Sequence, residues 1–265
     1  MYSKFQLAAN YLNYYLTASN GKGHGMHSPF VFDLITRILN DKTEYDDYNK
    51  VENLRKKLSY DETKLKIEEL GAGSSAGKSN LRSIASITRN AVKSKKWGQL
   101  LYRIVKYYQP KTIIELGTSL GITTSYLSLA NPGAKIFTLE GSTQIANIAK
   151  QNFRTLELEN IKLIQGNFNN TLPAVLYQVP TIDLVFIDGN HRKEPTENYF
   201  HWLLSKVHND TILIFDDIHW SQEMEEAWEY IKSHLAVRCS VDLFFLGIVF
   251  FRQEFKGRQH FKIRF

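Results

Sequence analysis

Glu115, Gly117 and Gly121 stand in the order Glu-x-Gly-x-x-x-Gly within the stretch PKTIIELGTSLGITT, residues 110–124. These residue types at this spacing suit the binding of a polar ligand. A glycine turn between a strand and a helix lets a ligand approach the chain closely, and N–H groups at the helix start face outward. A carboxylate at the carboxyl end of a strand stands where open α/β sheets bind ligands. A dinucleotide fingerprint would need glycines where Ser119 and Ile122 stand, so Gly-x-Gly-x-x-Gly is excluded. Taken alone, the stretch also suits an ordinary strand–turn–helix whose glycines serve only the turn.

The surrounding pattern supplies the elements that would position these residues. Lys111–Leu116 reads as a short buried strand, and Gly121 opens a helix through Tyr126 and Leu129. Before them, Leu100, Leu101, Ile104, Val105 and Tyr108 share a helical face. After them, strands are expected at Lys135–Glu140, Ile161–Gln165, Ile182–Ile187 and Thr211–Phe215, with a helix from Ser142 to Leu156. The Ile182–Ile187 run is nearly all apolar, as a strand buried on both faces should be. Ser221 caps a further helix with Glu223, Glu225 and Glu226 in its early turns, favourable for the macrodipole. Two apolar strands meet near Leu246-Gly247. Strand–helix alternation closed by a hairpin predicts an α/β fold with a mostly parallel sheet and an antiparallel edge.

Residues 1 to about 60 read as helical, with Phe5, Leu7, Ala8, Tyr11, Leu12, Tyr15 and Leu16 near helical spacing. Gly21, Gly23 and Gly25 mark a loop, and Ser28-Pro29 starts a second helix. His24 and His27 flank this loop without a neighbouring carboxylate or cysteine, a weak metal signal. The division expected is a helical extension over residues 1–96 and an α/β domain over 97–265.

Of the 265 residues, 43% are hydrophobic and 23% charged, as in a soluble globular protein. A single cysteine, Cys239, excludes a disulfide framework within the chain and suits a reducing compartment. No stretch is apolar enough to span a bilayer, and the amino-terminal residues lack a signal-peptide pattern. A cytoplasmic location is expected. The net charge is +6, but the basic residues are spread along the chain, which argues for solvated faces over a nucleic-acid surface.

Residues 72–79, AGSSAGKS, satisfy a permissive P-loop pattern. A phosphate-binding loop follows a buried strand, whereas Lys64–Leu70 alternates charged residues, as an edge strand does. No apolar strand ending in aspartate follows at a sensible distance to hold magnesium. A flexible glycine–serine loop is the simpler reading.

The wording ELGTSLG resembles the first motif of class I S-adenosylmethionine-dependent methyltransferases, and is closest to the small-molecule O-methyltransferases among them. The resemblance covers about Trp97 to Arg252 and rests on ordered co-occurrence. It implies a Rossmann-like sheet of seven strands. It also implies that Glu115, Gly117, Thr118, Gly121, Glu140, Asn167 and Asp188 bind the cofactor. Glu140 would accept hydrogen bonds from the ribose hydroxyls. The family usually has an acidic residue where Asn167 stands, near the adenine amine; an asparagine can still accept there. Asp188 matches a metal-binding aspartate, and His191 falls where cation-dependent members commonly have lysine. An imidazole can serve as general base for a hydroxyl. Asp216 and Asp217 occupy the place of an acidic residue and asparagine turned to the metal.

Three carboxylates at the ends of adjacent strands are costly unless something positive holds them, and Mg²⁺ or another divalent cation takes such ligands. Equally, Asp188 and Asp216 could orient loops by capping amides with no metal. The function expected is methyl transfer to an oxygen of a small molecule. Rivals are an N-methyltransferase of the same fold, an NTPase or kinase using residues 72–79, and a non-catalytic cofactor-binding module. Tyr11, Tyr14, Tyr15, His24, His27 and Phe30 in the extension, with His219 and Trp220, are candidates for an acceptor site, and the extension also for a lid or a homodimer contact.

Overall fold

The computed structural model describes residues 1–67, 81–90 and 92–265, in two compact units. One comprises Met1–Asp41 with Leu176–Phe265, the other Lys42–Val175. The P-loop-like stretch Ala72–Ser79 lies outside the described residues. Among the described residues no helix is long and apolar enough to cross a membrane.

The first unit opens with α1, Lys4–Thr17. The Ser3 side chain accepts from the Gln6 N–H while the Gln6 side chain accepts from the Ser3 N–H, a reciprocal cap. None of its apolar repeat is fully buried: Leu7 is partly buried against Tyr14, which the repeat does not include, while Phe5, Ala8, Tyr11, Leu12, Tyr15 and Leu16 are exposed. Helix α2, Pro29–Leu34, continues into a π turn, Ile35–Leu39. Ser28 holds the expected N-cap position, but its side chain makes no capping bond.

The second unit begins with α3, Asp46–Leu58, whose first turn carries Asp46 and Asp47 and whose last carries Arg55, Lys56 and Lys57. That distribution complements the helix dipole. Strands β1, Lys64–Lys66, and β2, Leu81–Ser83, pair antiparallel, and α4, Ile84–Asn90, follows. Helix α5, Lys95–Tyr108, buries Leu100, Leu101, Ile104 and Val105 on the face their spacing predicts. Each such burial stabilises by about 1.5–3 kcal/mol relative to exposure. Strand β3, Thr112–Leu116, then leads through the glycine turn into α6, Ile122–Ala130. Strands β4, Lys135–Glu140, and β5, Ile161–Gln165, lie parallel to it in the order β3-β4-β5. Helix α7, Thr143–Thr155, connects them with Ile145, Ala149 and Phe153 inward. Helix α8, Phe168–Gln178, runs past the edge of this unit.

The remaining elements belong to the first unit. Strand β6, Leu184–Ile187, is buried at every residue and pairs parallel with β7, Ile212–Asp216. Helix α9, Lys193–Leu204, connects them, and α10, Gln222–Ser233, follows β7 with the Ser221 hydroxyl accepting from the Met224 N–H. Strands β8, Cys239–Asp242, and β9, Leu246–Phe250, form the expected hairpin, with β9 antiparallel to β7. Strand β10, Gln259–Lys262, pairs parallel with β8. Among the described residues these five and the three parallel strands of the other unit make eight, one more than the seven expected. The addition is β10, whose sequence QHFK is too polar to stand out.

Candidate active site

In the Lys42–Val175 unit the glycine turn closes onto β4. Glu140 ends that strand with both carboxylate oxygens engaged by backbone. Its Oε2 accepts the Ser119 N–H at 2.9 Å and its Oε1 accepts the Ser142 N–H at 2.9 Å. A carboxylate has about four acceptor positions, so lone pairs remain for hydroxyl donors. Burial pushes the pKa of Glu140 up, partly offset by the amides of Ser142, Ser119 and Gly141.

Glu115 is placed differently. It has no solvent exposure, and its Oε2 accepts from the hydroxyls of Thr124 at 2.5 Å and Thr138 at 2.6 Å. Thr138 also bonds Thr118 at 2.6 Å, so the Thr118 side chain is turned into the same buried network. Glu115 and Thr118 thereby fasten β3, β4 and α6 together beneath the turn. Gly117 has φ 100°, and Gly121 has φ 78° with an added Cβ 2.5 Å from Phe153 Cε1. The glycine at 121 is therefore required by its backbone and by the ring packed on it. Ser119 carries a positive φ of 48° that aims its N–H at Glu140. Asn167 is exposed ahead of α8, where its Oδ1 accepts the Asn169 N–H at 2.9 Å.

In the other unit, β6 and β7 carry the acidic candidates to their carboxyl ends. One ligand atom each from Asp188, His191 and Asp216 lies within 4.8 Å of the others. His191 Nε2 stands 3.4 Å from Asp188 Oδ1, and Asp216 is nearly fully buried. The loop holding them is anchored by Asn190, whose Nδ2 donates to the Tyr199 hydroxyl at 3.1 Å. Asn190 and His191 have φ of 69° and 32°, a region that asparagine and histidine enter more readily than most residues. Asp217 does not belong to this group. It also has a positive φ, 52°, and its N–H donates to the Phe245 carbonyl at 2.7 Å, which fixes the end of β7.

Two carboxylates and an imidazole on adjacent strand ends are a donor set that suits a divalent cation. The oxygen donors of Asp188 and Asp216 match Mg²⁺, and their low exposure makes a positive partner electrostatically favourable.

Trp220 lies beside His191, ring centroids 5.7 Å apart. His219 points elsewhere: Nδ1 faces Glu225 Oε1 at 3.0 Å and Nε2 faces Asp242 Oδ2 at 2.9 Å. Burial alone would lower its pKa, but the hydrogen bonds and charges of Asp242 and Glu225 outweigh it and raise the value. The same two residues, Glu225 by its carboxylate and Asp242 by its backbone carbonyl, hold the amino-terminal segment. Tyr2 donates to Glu225 at 2.7 Å, and Tyr14 donates to the Asp242 carbonyl at 3.0 Å and to that of Ile263. Tyr11 packs on Phe244 with centroids 5.0 Å apart, and Arg264 lies over the Tyr15 ring. The void bounded by Leu7, Asp217, Trp220 and Phe245 is about 10 Å³, smaller than an acceptor needs. His24 is exposed, and His27 and Phe30 line a separate cleft.

The structure brings the sequence candidates Asp188, His191 and Asp216 together and sets Glu140 at the end of β4; the residues that hold these groups and Glu115, namely Ser119, Ser142, Thr138 and Asn190, are not singled out by the sequence. Only the position of Ser119 inside the glycine turn could have pointed to it.

Comparison with known proteins follows this geometry. A family model described as a methyltransferase domain matches residues 114–218. A catechol O-methyltransferase of Niastella koreensis is 28% identical over 124 residues, 46% of this chain and 55% of that protein. A tRNA (guanine-N(7)-)-methyltransferase of Mycoplasma mobile is 38% identical over 77 residues, 29% of this chain and 38% of that protein. The chain thus spans little more than half the length of these curated relatives at most. Among solved structures, an SAH-bound methyltransferase of Podospora anserina superposes with a TM-score of 0.60 at 14% identity, covering 85% of this chain and 97% of that one. That likeness is one of fold and supports the Rossmann-like architecture. The matched family region contains Glu115, Gly117 and Gly121, and the family description, the O-methyltransferase relative and the fold agree with the resemblance to class I S-adenosylmethionine-dependent methyltransferases.

Proposed function

We propose that the protein transfers the sulfonium methyl group of S-adenosylmethionine to an oxygen of a small-molecule acceptor. The observation that carries this reading is Glu140. Its carboxylate is clamped by the Ser119 and Ser142 amides at the end of β4 and keeps lone pairs for the ribose hydroxyls. Glu115, Thr118, Thr124 and Thr138 act from below, by holding the turn in place. The Asn167 side chain, which caps α8, keeps its Nδ2 for the adenine edge.

Asp188 and Asp216 are the residues that would hold a divalent cation, with His191 kept for the proton. A cation held there would lower the pKa of an acceptor hydroxyl beside it. Asp188, on the Nε2 side of His191, favours the tautomer protonated at Nε2 and leaves the Nδ1 lone pair as general base. In the transfer the acceptor oxygen forms the new C–O bond and its proton passes to His191. The C–S bond breaks, and its electron pair stays on sulfur. Positioning of nucleophile and methyl group supplies much of the rate gain in such a displacement.

The test is methyl transfer from labelled S-adenosylmethionine to 3,4-dihydroxybenzoate, with and without Mg²⁺. Label on a hydroxyl oxygen is the expected result. Label found only on amines or on tRNA, with the cofactor bound, would overturn the O-methylation reading and favour the N-methyl rival that the Mycoplasma mobile relative represents.

A further inference from the structure

We infer that the protein has a second small-molecule site, for a planar aromatic acid that also carries a hydrogen-bond donor. The site is a cleft of about 430 Å³ between the loop leading into α2 and the turn after β9. That volume falls within the range of small-molecule pockets.

Its place in the sheet separates it from the acidic cluster. Phe250, at the end of β9, pairs with Ile212 at the start of β7, whereas Asp216 pairs with Leu246 at the other end. The two sites therefore lie at opposite ends of β7, about 13 Å apart along a strand of this length.

Three features define the ligand. The first is an aromatic wall. Phe30 meets Phe255 edge-on at 5.5 Å and Phe250 at 4.8 Å, which fixes its ring against the end of β9. A flat ring packs on such a wall by offset or edge contacts. The second is positive charge. Arg252 lies over the Phe30 ring at 5.0 Å, and Lys256 stands exposed at the rim. Arg252 is paired with Asp210 and faces Glu254 Oε1 at 3.9 Å, so Lys256 is the cation placed to meet an acid, and the turn is pinned where the Gln253 N–H donates to Asn209 Oδ1 at 2.8 Å. Glu254 is the acidic lining residue, and it accepts from Asn209 Nδ2 at 3.3 Å. The third is Gln259, whose Oε1 is buried and accepts no hydrogen bond from the described chain. A buried acceptor left so is costly, and a ligand hydroxyl or amine relieves it. An aromatic acid bearing a hydroxyl answers all three.

Gly257 supplies the means to test this. A Cβ added there meets nothing within 4 Å, and the residue lines the cleft. Gly257→Trp can therefore fill the space without a backbone clash. The probe is 6-hydroxy-2-naphthoate, followed by its own fluorescence anisotropy on the full chain. Saturable binding is expected, weakened at least about tenfold in Gly257→Trp while S-adenosylhomocysteine affinity stays unchanged. Lys256→Glu, at an exposed position that leaves the fold intact, should weaken the naphthoate and spare neutral 2-naphthol. Absence of saturable binding, or equal affinity in wild type and both variants, would overturn the inference.

Discussion

Asp188 Oδ1 and His191 Nε2 lie 3.4 Å apart at the carboxyl end of β6, across a turn whose last two residues are left-handed. Such backbone costs of order 1–3 kcal/mol where the residue is not glycine, and it persists where the surroundings over-determine it. Here the Asn190–Tyr199 hydrogen bond helps to do so. His191→Asn keeps a residue type that tolerates this conformation but removes the base. It should lower kcat by about 10²–10⁴-fold with S-adenosylhomocysteine affinity intact. Steady-state kinetics with calorimetry checks this; an unchanged kcat would remove His191 from the proton path.

Glu115 is predicted to act through stability. Glu115→Ala leaves the hydroxyls of Thr124 and Thr138 without their carboxylate and opens a void in a fully buried site. The expected loss is about 1–3 kcal/mol, read as a lower urea midpoint at constant slope. Full stability with lost cofactor binding would instead make Glu115 a direct ligand contact.

Gly121→Ala should destabilise by about 1–3 kcal/mol, because the new methyl group meets Phe153 and the residue keeps a positive φ. Adding Phe153→Ala removes the ring that the methyl strikes. The double variant should therefore be more stable than the sum of the single effects predicts, as thermal unfolding would show. Strict additivity would mean that backbone strain alone makes the glycine necessary.

These residues also show what the sequence could and could not convey. The apolar run at 184–187 and the alternation of strands with helices announce a parallel sheet, because burial on both faces leaves no polar positions. Glu140 and Asp188 are legible as strand-end carboxylates for the same reason. Whether Glu115 faces a ligand or the core is not legible, because the answer depends on Thr138 arriving from the neighbouring strand. Likewise, His219 reads as a site residue until Glu225 and Asp242 are seen on its two nitrogens. Strand β10 stays hidden because its burial alternates along a short polar segment.

His219 gives the chain a pH-dependent clamp. Only the imidazolium can donate to Glu225 and Asp242 at once, and its pKa is raised above the ordinary 6.5. The stabilisation is therefore fully present below about pH 6.5 and is lost as the pH rises through the folded value. The thermal midpoint of His219→Gln should fall furthest below wild type near pH 6, and the gap should narrow by about pH 9. A gap independent of pH would show that the ring acts by packing on Phe244 instead.

The most direct test of the methyltransferase account is calorimetric titration of S-adenosylhomocysteine into wild type and Glu140→Ala, with circular dichroism confirming that both are folded. Wild type should bind at one site, and the variant should bind at least about tenfold more weakly, since it loses the ribose acceptor and the clamp on the Ser119 and Ser142 amides together. Folded wild-type protein that takes up no S-adenosylhomocysteine would contradict the account at its centre.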